Sequence, residues 1–311
     1  MDISASQHIP VLLGEIVEFL DVKPNDIIVD GTLGLGGHAR ELLRNVGDDG
    51  KYVAFDWDSR NLHEARRRLK KFEGKIQFIN DSFDKIDHYS KVLRLPHVSK
   101  VLLDLGLSSP HVDVAEFGFS FMRRGPLDMR FDKSKKLNAS LILNKASFEK
   151  IREILQRLGE VQNASKLARV IVEEREKAPF VYTDEFAQRI EHLFEPSRRN
   201  KELAKVFQAL RIAVNDELNV LQAALSNYFD LLEKGGRMAV ISYHSLEDRI
   251  VKNFFRDLFK PLETDPEKML YSVHAEPLAE IVGRSVIEPD DEEIDINPRS
   301  RSAKLRIIQK L

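Results

Sequence analysis

The 311-residue chain has no cysteine and a single tryptophan. The missing thiols exclude disulfides, thiolate metal ligands and cysteine nucleophiles together. No apolar run approaches the roughly 20 residues that a membrane-spanning helix needs, so no membrane is expected among the partners. The opening stretch MDISASQHIP lacks a basic flank followed by an apolar core. A secretory leader is therefore not expected, and the expected location is the cytoplasm. Internal repeats and low-complexity segments are also lacking. A net charge of -2 does not advertise a nucleic-acid binder. What remains is an ordinary composition, 42% hydrophobic and 32% charged, on a chain long enough for two domains.

Charge is distributed in runs. Arg60, Arg66, Arg67, Arg68, Lys70 and Lys71 cluster, as do Arg198, Arg199, Lys201 and Lys205. The tail 297–311 carries Arg299, Arg301, Lys304, Arg306 and Lys310 with no acid, just after the acidic EPDDEEID of 288–295. Any one run reads as solvated surface. Several basic runs predict a basic face if they converge in space.

Apolar periodicity predicts a helix over 11–20 with Pro10 at its start. Short buried strands are expected at 27–30, 52–55, 76–79 and 101–103, with helices at about 38–43 and 59–72. This alternation predicts an α/β fold with a parallel sheet. Between about 112 and 212 the rhythm stops, and helices are expected over 137–158, 164–177 and 183–194, with Thr183 as an N-cap. A stripe from Phe207 to Leu225 continues to 232, too long for one globular helix, so a break is expected. Strand character returns at 235–242, and 305–308 can close the sheet. The expected organisation is a sheet domain in two pieces, 1–111 and 213–311, around an all-helical insert, 112–212.

The segment DGTLGLGGH, residues 30–38, places four glycines directly after the first strand. A phosphate-binding P-loop would end in Gly-Lys-Ser/Thr, which is absent. Gly34-Leu35-Gly36-Gly37-His38-Ala39 does fit a dinucleotide loop, and Asp56 follows Gly36 by 20 residues, where a ribose-binding acid belongs. Asp30 tips the balance. A carboxylate beside the loop repels pyrophosphate and welcomes the ammonium and sulfonium of S-adenosylmethionine. Asp56 then accepts from the ribose, and Phe83 walls the adenine. The plainer alternatives are that Asp30 caps the turn, Phe83 is core and His38 merely starts a helix.

After the fourth strand comes Asp104-Leu105-Gly106-Leu107-Ser108-Ser109-Pro110-His111. An acid and two hydroxyls here would face the cofactor's methyl group and suit an exocyclic amine as acceptor. Hydrogen bonds from the amine to Asp104, Ser108 or Ser109 favour a pyramidal, nucleophilic nitrogen. No metal is required. Methylation at cytosine carbon 5 by a cysteine nucleophile is excluded, whereas amine methylation stays open. After the fifth strand, Ser245 and Asp248 have capping-box spacing, and His244 is a candidate for the substrate side.

Seven segments occur in order: HIPVLLGEI, VDGTLGLGGH, VLLDLGLSSP, GFSFMRRGPLDMRFD, FQALRIAVNDEL, ISYHSLEDRIVK and NPRSRSAKLRI. Together they resemble the bacterial 16S rRNA cytosine-N4 methyltransferases, from His8 to about Ile308. The resemblance implies a class I, Rossmann-like methyltransferase sheet with a helical insert. It also implies S-adenosylmethionine as cofactor and a cytidine of 16S rRNA, in the decoding region of the small ribosomal subunit, as substrate. It puts cofactor contacts on Gly36, Gly37, His38, Asp56, Phe83, Asp104 and His111; Asp30 and Gly34 join them from the loop reading. Arg130, in GPLDMRFD, is either an RNA contact or an ion pair with Asp128 or Asp132. The chain departs from the family where His111 replaces Gln, where Phe117 replaces Arg, and at 201–206 ahead of FQAL. The oligomeric state is open, a homodimer being one option.

Overall fold

The structure is a computed structural model that describes residues 9–259 and 276–311. His8 and most of the MDISASQHIP stretch lie outside the described residues. The chain divides into two compact units. One holds the described residues up to Gly106 and from Leu218 onward; the other is Leu107–Glu217.

The first unit is a seven-stranded sheet between two layers of helices. Its strands are β1 (Ile27–Asp30), β2 (Lys51–Phe55), β3 (Ile76–Ile79), β4 (Val98–Asp104), β5 (Leu232–Ser242), β6 (Ala279–Ile281) and β7 (Lys304–Lys310). They lie in the order β3-β2-β1-β4-β5-β7-β6. The first five pair in parallel, and β7 runs antiparallel to both neighbours. All four residues of β1 are buried, as expected for a parallel strand covered on both faces. Side chains alternate between those faces. Ile28, Tyr52, Ala54 and Leu102 enter one core with α1 (Leu13–Leu20), α2 (Gly37–Leu42) and α3 (Ser59–Arg68). Val29, Val53, Phe55 and Leu103 enter the other with α4 (Ile86–Val92), α11 (Glu217–Leu231) and α12 (Ser245–Phe259). The expected closing strand, β7, is interior: short β6 pairs outside it, too brief and polar to announce itself in the sequence.

The second unit is helical: α5 (Ser109–Asp113), α6 (Ala139–Lys145), α7 (Phe148–Leu158), α8 (Ala164–Lys177), α9 (Thr183–Ile190) and α10 (Arg199–Asn215). Phe180, Phe186, Leu155, Leu167 and Met129 are among its buried core. The single helix expected over 137–158 is two. The first ends at Lys145 with Ala146 as its C-cap, and Ser147 caps the next, its Oγ accepting from Lys150 N–H at 3.2 Å. Thr183 is not an N-cap. It is fully buried, and its hydroxyl donates to Arg123 O at 2.7 Å and accepts from Gly125 N–H at 3.0 Å. The expected break in the long stripe falls at Asp216, whose φ of 58° is left-handed.

Much of the basic charge singled out in the sequence is neutralised in place. Arg60 pairs with Asp58, and Arg67 and Arg68 pair with Glu64. Arg66 lies over Phe78, Lys205 pairs with Glu202, and Arg306 pairs with Asp248. The acidic run is also used locally. Asp290 caps α13 (Asp291–Ile296), and Glu293 accepts from Leu12 N–H at 2.9 Å.

Candidate active site

The glycine loop is tied down at both sides. Gly31 N–H donates to Leu102 O at 2.9 Å, Leu33 N–H to Phe55 O at 2.9 Å, and Asp104 N–H to Thr32 Oγ1 at 2.6 Å. The carboxyl ends of β1, β2 and β4 thus share one loop, the usual place for a ligand in such a sheet. The glycines serve two purposes. Gly34, at φ 54°, faces open space: a methyl added there would meet nothing closer than Thr32 O at 4.0 Å. A methyl on Gly36 would lie 2.8 Å from Leu69 Cδ1, and one on Gly37 2.5 Å from Pro10 Cγ. Those two let α2 pack, and only Gly34 leaves unfilled room beside its backbone.

Three acids stand at the strand ends. Asp30 is 2% exposed; its oxygens accept from Thr32 N–H at 3.0 Å and Tyr52 O–H at 2.8 Å. Burial pushes its pKa up to about 6. The carboxylate thus braces the turn that opens the loop, the plainer of the two expected roles, through Thr32 and Tyr52. Asp56 is partly exposed. It accepts from Gly34 N–H at 2.8 Å and Asp58 N–H at 2.7 Å, with Asn61 Nδ2 at 3.2 Å, and burial pushes it up to about 7. A carboxylate has about four acceptor directions, so capacity for hydroxyl donors remains.

Asp104 Oδ1 accepts from Tyr243 O–H at 2.7 Å, while Oδ2 lies 3.6 Å from His38 Nδ1. Burial raises its pKa. His38 is buried, and its Nε2 lies 2.9 Å from Val11 O. A carbonyl only accepts, so Nε2 carries the hydrogen and Nδ1 faces Asp104. Phe83 and Trp57, both partly exposed, are near-parallel with centroids 6.0 Å apart and planes at 21°. Trp57, Tyr52 and Tyr243 were not found in the sequence. Trp57 alone carried a signal, as the chain's one tryptophan directly after the strand-end acid.

His244 caps α12. Glu247 N–H donates to its Nδ1 at 3.3 Å, and Glu247 Oε2 accepts from the N–H groups of Tyr243 (2.9 Å) and His244 (3.3 Å). This is a reciprocal cap one residue earlier than the Ser245–Asp248 spacing predicts. Nε2 of His244 is buried, 3.1 Å from Glu247 Oε1 but not aligned for a hydrogen bond.

The other expected residues belong to the second unit. Ser108 is the N-cap of α5, and Ser109 is that helix's first residue. Ser108 N–H donates to His111 Nδ1 at 3.2 Å, and Ser108 Oγ lies 2.9 Å from the same nitrogen. The His111 ring is 4% exposed and packs against Phe117, Phe119 and Phe131. Its Nδ1 thus serves the cap of α5, and its ring is enclosed by the three phenylalanines. Arg130 forms the internal ion pair. It grips Asp128 bidentately at 2.7 and 2.9 Å and also donates to the Lys133 and Lys135 carbonyls. Burial pulls Asp128 upward, but the Arg130 and Lys133 bonds outweigh it and hold the carboxyl at about 2. Of the two expected alternatives for Arg130, RNA contact or internal ion pair, the structure shows the ion pair, with Asp128 rather than Asp132.

The loop suits S-adenosylmethionine better than a pyrophosphate. It has open backbone at Gly34, acceptors at Asp56 and Asp104, an aromatic pair, and no lysine or arginine from Asp30 to Ala39. Residues 5–311 match the MraW methylase family. The ribosomal RNA small subunit methyltransferase H of Dictyoglomus thermophilum is 43% identical over 303 residues, 97% of this chain and 96% of that one. The protein of the same name from Flavobacterium johnsoniae is 40% identical over 311 residues, the whole of both chains. A solved structure, a methyltransferase homolog protein from Pyrococcus horikoshii, aligns over all of this chain and 72% of its own, with TM-score 0.46 and 14% identity. A family match over nearly the full length, with relatives at these identities, leads to one conclusion: the chain belongs to the MraW methylase family and is an S-adenosylmethionine-dependent methyltransferase.

Proposed function

We propose that the methyl group goes to the exocyclic N4 amine of a cytidine in the decoding region of 16S rRNA, within the small ribosomal subunit. The relatives' names point to small-subunit ribosomal RNA. The observation that carries the amine chemistry is Asp104. Tyr243 fixes one of its oxygens at the end of β4, and burial keeps its basicity above that of an ordinary carboxylate. When bound, the cofactor supplies a methyl carbon already electrophilic through its sulfonium. Asp104 accepts an N–H bond from the amine, which directs the nitrogen lone pair in line. As the N–C bond forms the C–S bond breaks, and the surplus amine proton passes to Asp104 or water. Orientation of this kind is worth about 7–11 kcal/mol at best.

Asp56 and Gly34 would hold the ribose end and Trp57 and Phe83 the adenine, with Gly36, Gly37 and His38 shaping the loop. The base must leave its stack to reach such a site. Ser108 and Ser109 enter only through their nearness in sequence to Asp104, and His244 only through its place after β5. The helical unit would grip the surrounding RNA.

Labelled S-adenosylmethionine, incubated with small subunits from a strain lacking the protein, should yield label in N4-methylcytidine after digestion to nucleosides. Label in another nucleoside, or none in RNA, refutes the reading. Asp104→Ala should abolish transfer while sparing RNA binding; transfer at the wild-type rate would remove Asp104 from the chemistry.

A further inference from the structure

The helical unit contains a cavity of about 530 Å³ whose lining includes Lys136, Lys145, Arg175 and Glu176. That volume lies within the usual range for a small-molecule site. Three of those four charges are positive. Most cations of this unit are committed: Lys133 and Arg130 to Asp128, Lys150 and Arg157 to Glu153, Lys177 and Arg189 to Glu174. Arg175 is committed too, donating to the Leu143 and Ala146 carbonyls at 3.3 and 2.6 Å. Lys136 and Lys145 are exposed and have neither an ion pair nor a hydrogen bond to any described residue.

The floor beneath them is rigid. Asn144 clamps the Phe180 backbone in both directions, Nδ2 to O at 2.8 Å and N–H to Oδ1 at 2.8 Å, and Ser140 Oγ donates to Phe180 O at 2.9 Å. Ser140 and Asn144 are thus occupied with the protein's own backbone, and Asn138 Oδ1 accepts from Leu141 N–H at 2.8 Å. Glu176 lies 3.7 Å from Arg175 Nε, so these two opposite charges offset each other, and the surplus charge left for a ligand is two exposed ammonium groups. Lysine acts as a point charge on phosphate rather than as a planar fork for base edges. A strand read here is held by its backbone and not by its sequence.

We infer that this cavity is a docking groove for the phosphodiester backbone of the RNA substrate, with Lys136 and Lys145 each neutralising one phosphate. The inference rests on the RNA reading above, and its test separates the two. The probes are small ribosomal subunits and a fluorescent single-stranded fragment of their rRNA. The double variant Lys136→Ala/Lys145→Ala is compared with wild type and with Lys51→Ala/Lys234→Ala, two exposed lysines of the other unit. Loss of each contact lowers the slope of log K against log salt by about 0.7. The groove variant should therefore show a weaker salt dependence and a several-fold higher KM for subunits, with kcat and melting temperature held. If wild type methylates rRNA and the variant keeps its KM and slope, the groove is refuted and the function stands. An equal effect from the control pair also refutes it, since any lost charge would then suffice. A higher KM on subunits with an unchanged slope on the bare fragment makes the occupant a ribosomal protein and overturns the RNA assignment. If wild type methylates no RNA, the function itself falls.

Discussion

Two tyrosines hold two of the acids at the strand ends. Tyr243 O–H reaches Asp104 from 139 residues away in the chain, and Tyr52 O–H reaches Asp30 from 22. Tyr243→Phe keeps the ring and deletes that bond. A hydrogen bond to a charged group is worth about 1.5–3 kcal/mol, so kcat should fall roughly ten- to hundred-fold with cofactor affinity held. Single-turnover kinetics check this; an unchanged kcat would mean Asp104 needs no such hold. Asp30 gives a pH prediction. Its folded pKa, about 6, lies above the ordinary aspartate value of 3.8, so the folded state binds the extra proton between those values. Its contribution favours folding below about pH 4 and is lost as pH rises through 6. Asp30→Asn, whose Oδ1 can still accept from Thr32 N–H while its Nδ2 donates to the Tyr52 hydroxyl oxygen, should flatten the melting temperature between pH 4 and 6. An unaltered profile would show that Asp30 does not titrate there. The acids were legible because they follow apolar runs. Their tyrosine partners were not, since nothing local ties a residue to one 139 positions away.

At the scale of elements, the glycine loop separates packing from access. Gly36→Ala meets Leu69 and a left-handed φ, and overpacking and strain together should cost about 2–4 kcal/mol. Gly34→Ala meets only the φ strain, about 1–2 kcal/mol, but fills the open side. Thermal melting should rank Gly36→Ala as the less stable, whereas titration calorimetry with S-adenosylmethionine should rank Gly34→Ala as the weaker binder. The reverse order in either assay would contradict the division. The β–loop–α rhythm was readable because β1, β2 and β4 are short apolar runs closed by Asp30, Asp56 and Asp104. The break at Ser147 was not, because apolar residues keep helical spacing across it and only the cap bond to Lys150 reveals the stop. For a related reason the sequence left Arg130 open between RNA contact and ion pair and did not show the His111 bond to Ser108. Sequence shows a polar residue beside a motif but not that its neighbours already satisfy it.

At the scale of the whole molecule, each unit has its own core. The helical core from Phe117 to Val214 is drawn entirely from Leu107–Glu217. Residues 107–217 expressed alone should therefore melt cooperatively with helical circular dichroism; a non-cooperative melt would show that this core needs the other unit. The sheet depends instead on both ends of the chain. β4 pairs on one side with β1, already made, and on the other with β5, which begins only at Leu232. On a ribosome making roughly 5–20 residues per second, the helical unit is synthesised while the β5 side of β4 waits unpaired. An open parallel edge of that kind invites pairing with another chain. The insertion point thus sets a birth order, helical unit first and sheet last. It also sets an interval of several seconds in which the half-made enzyme is most dependent on chaperones.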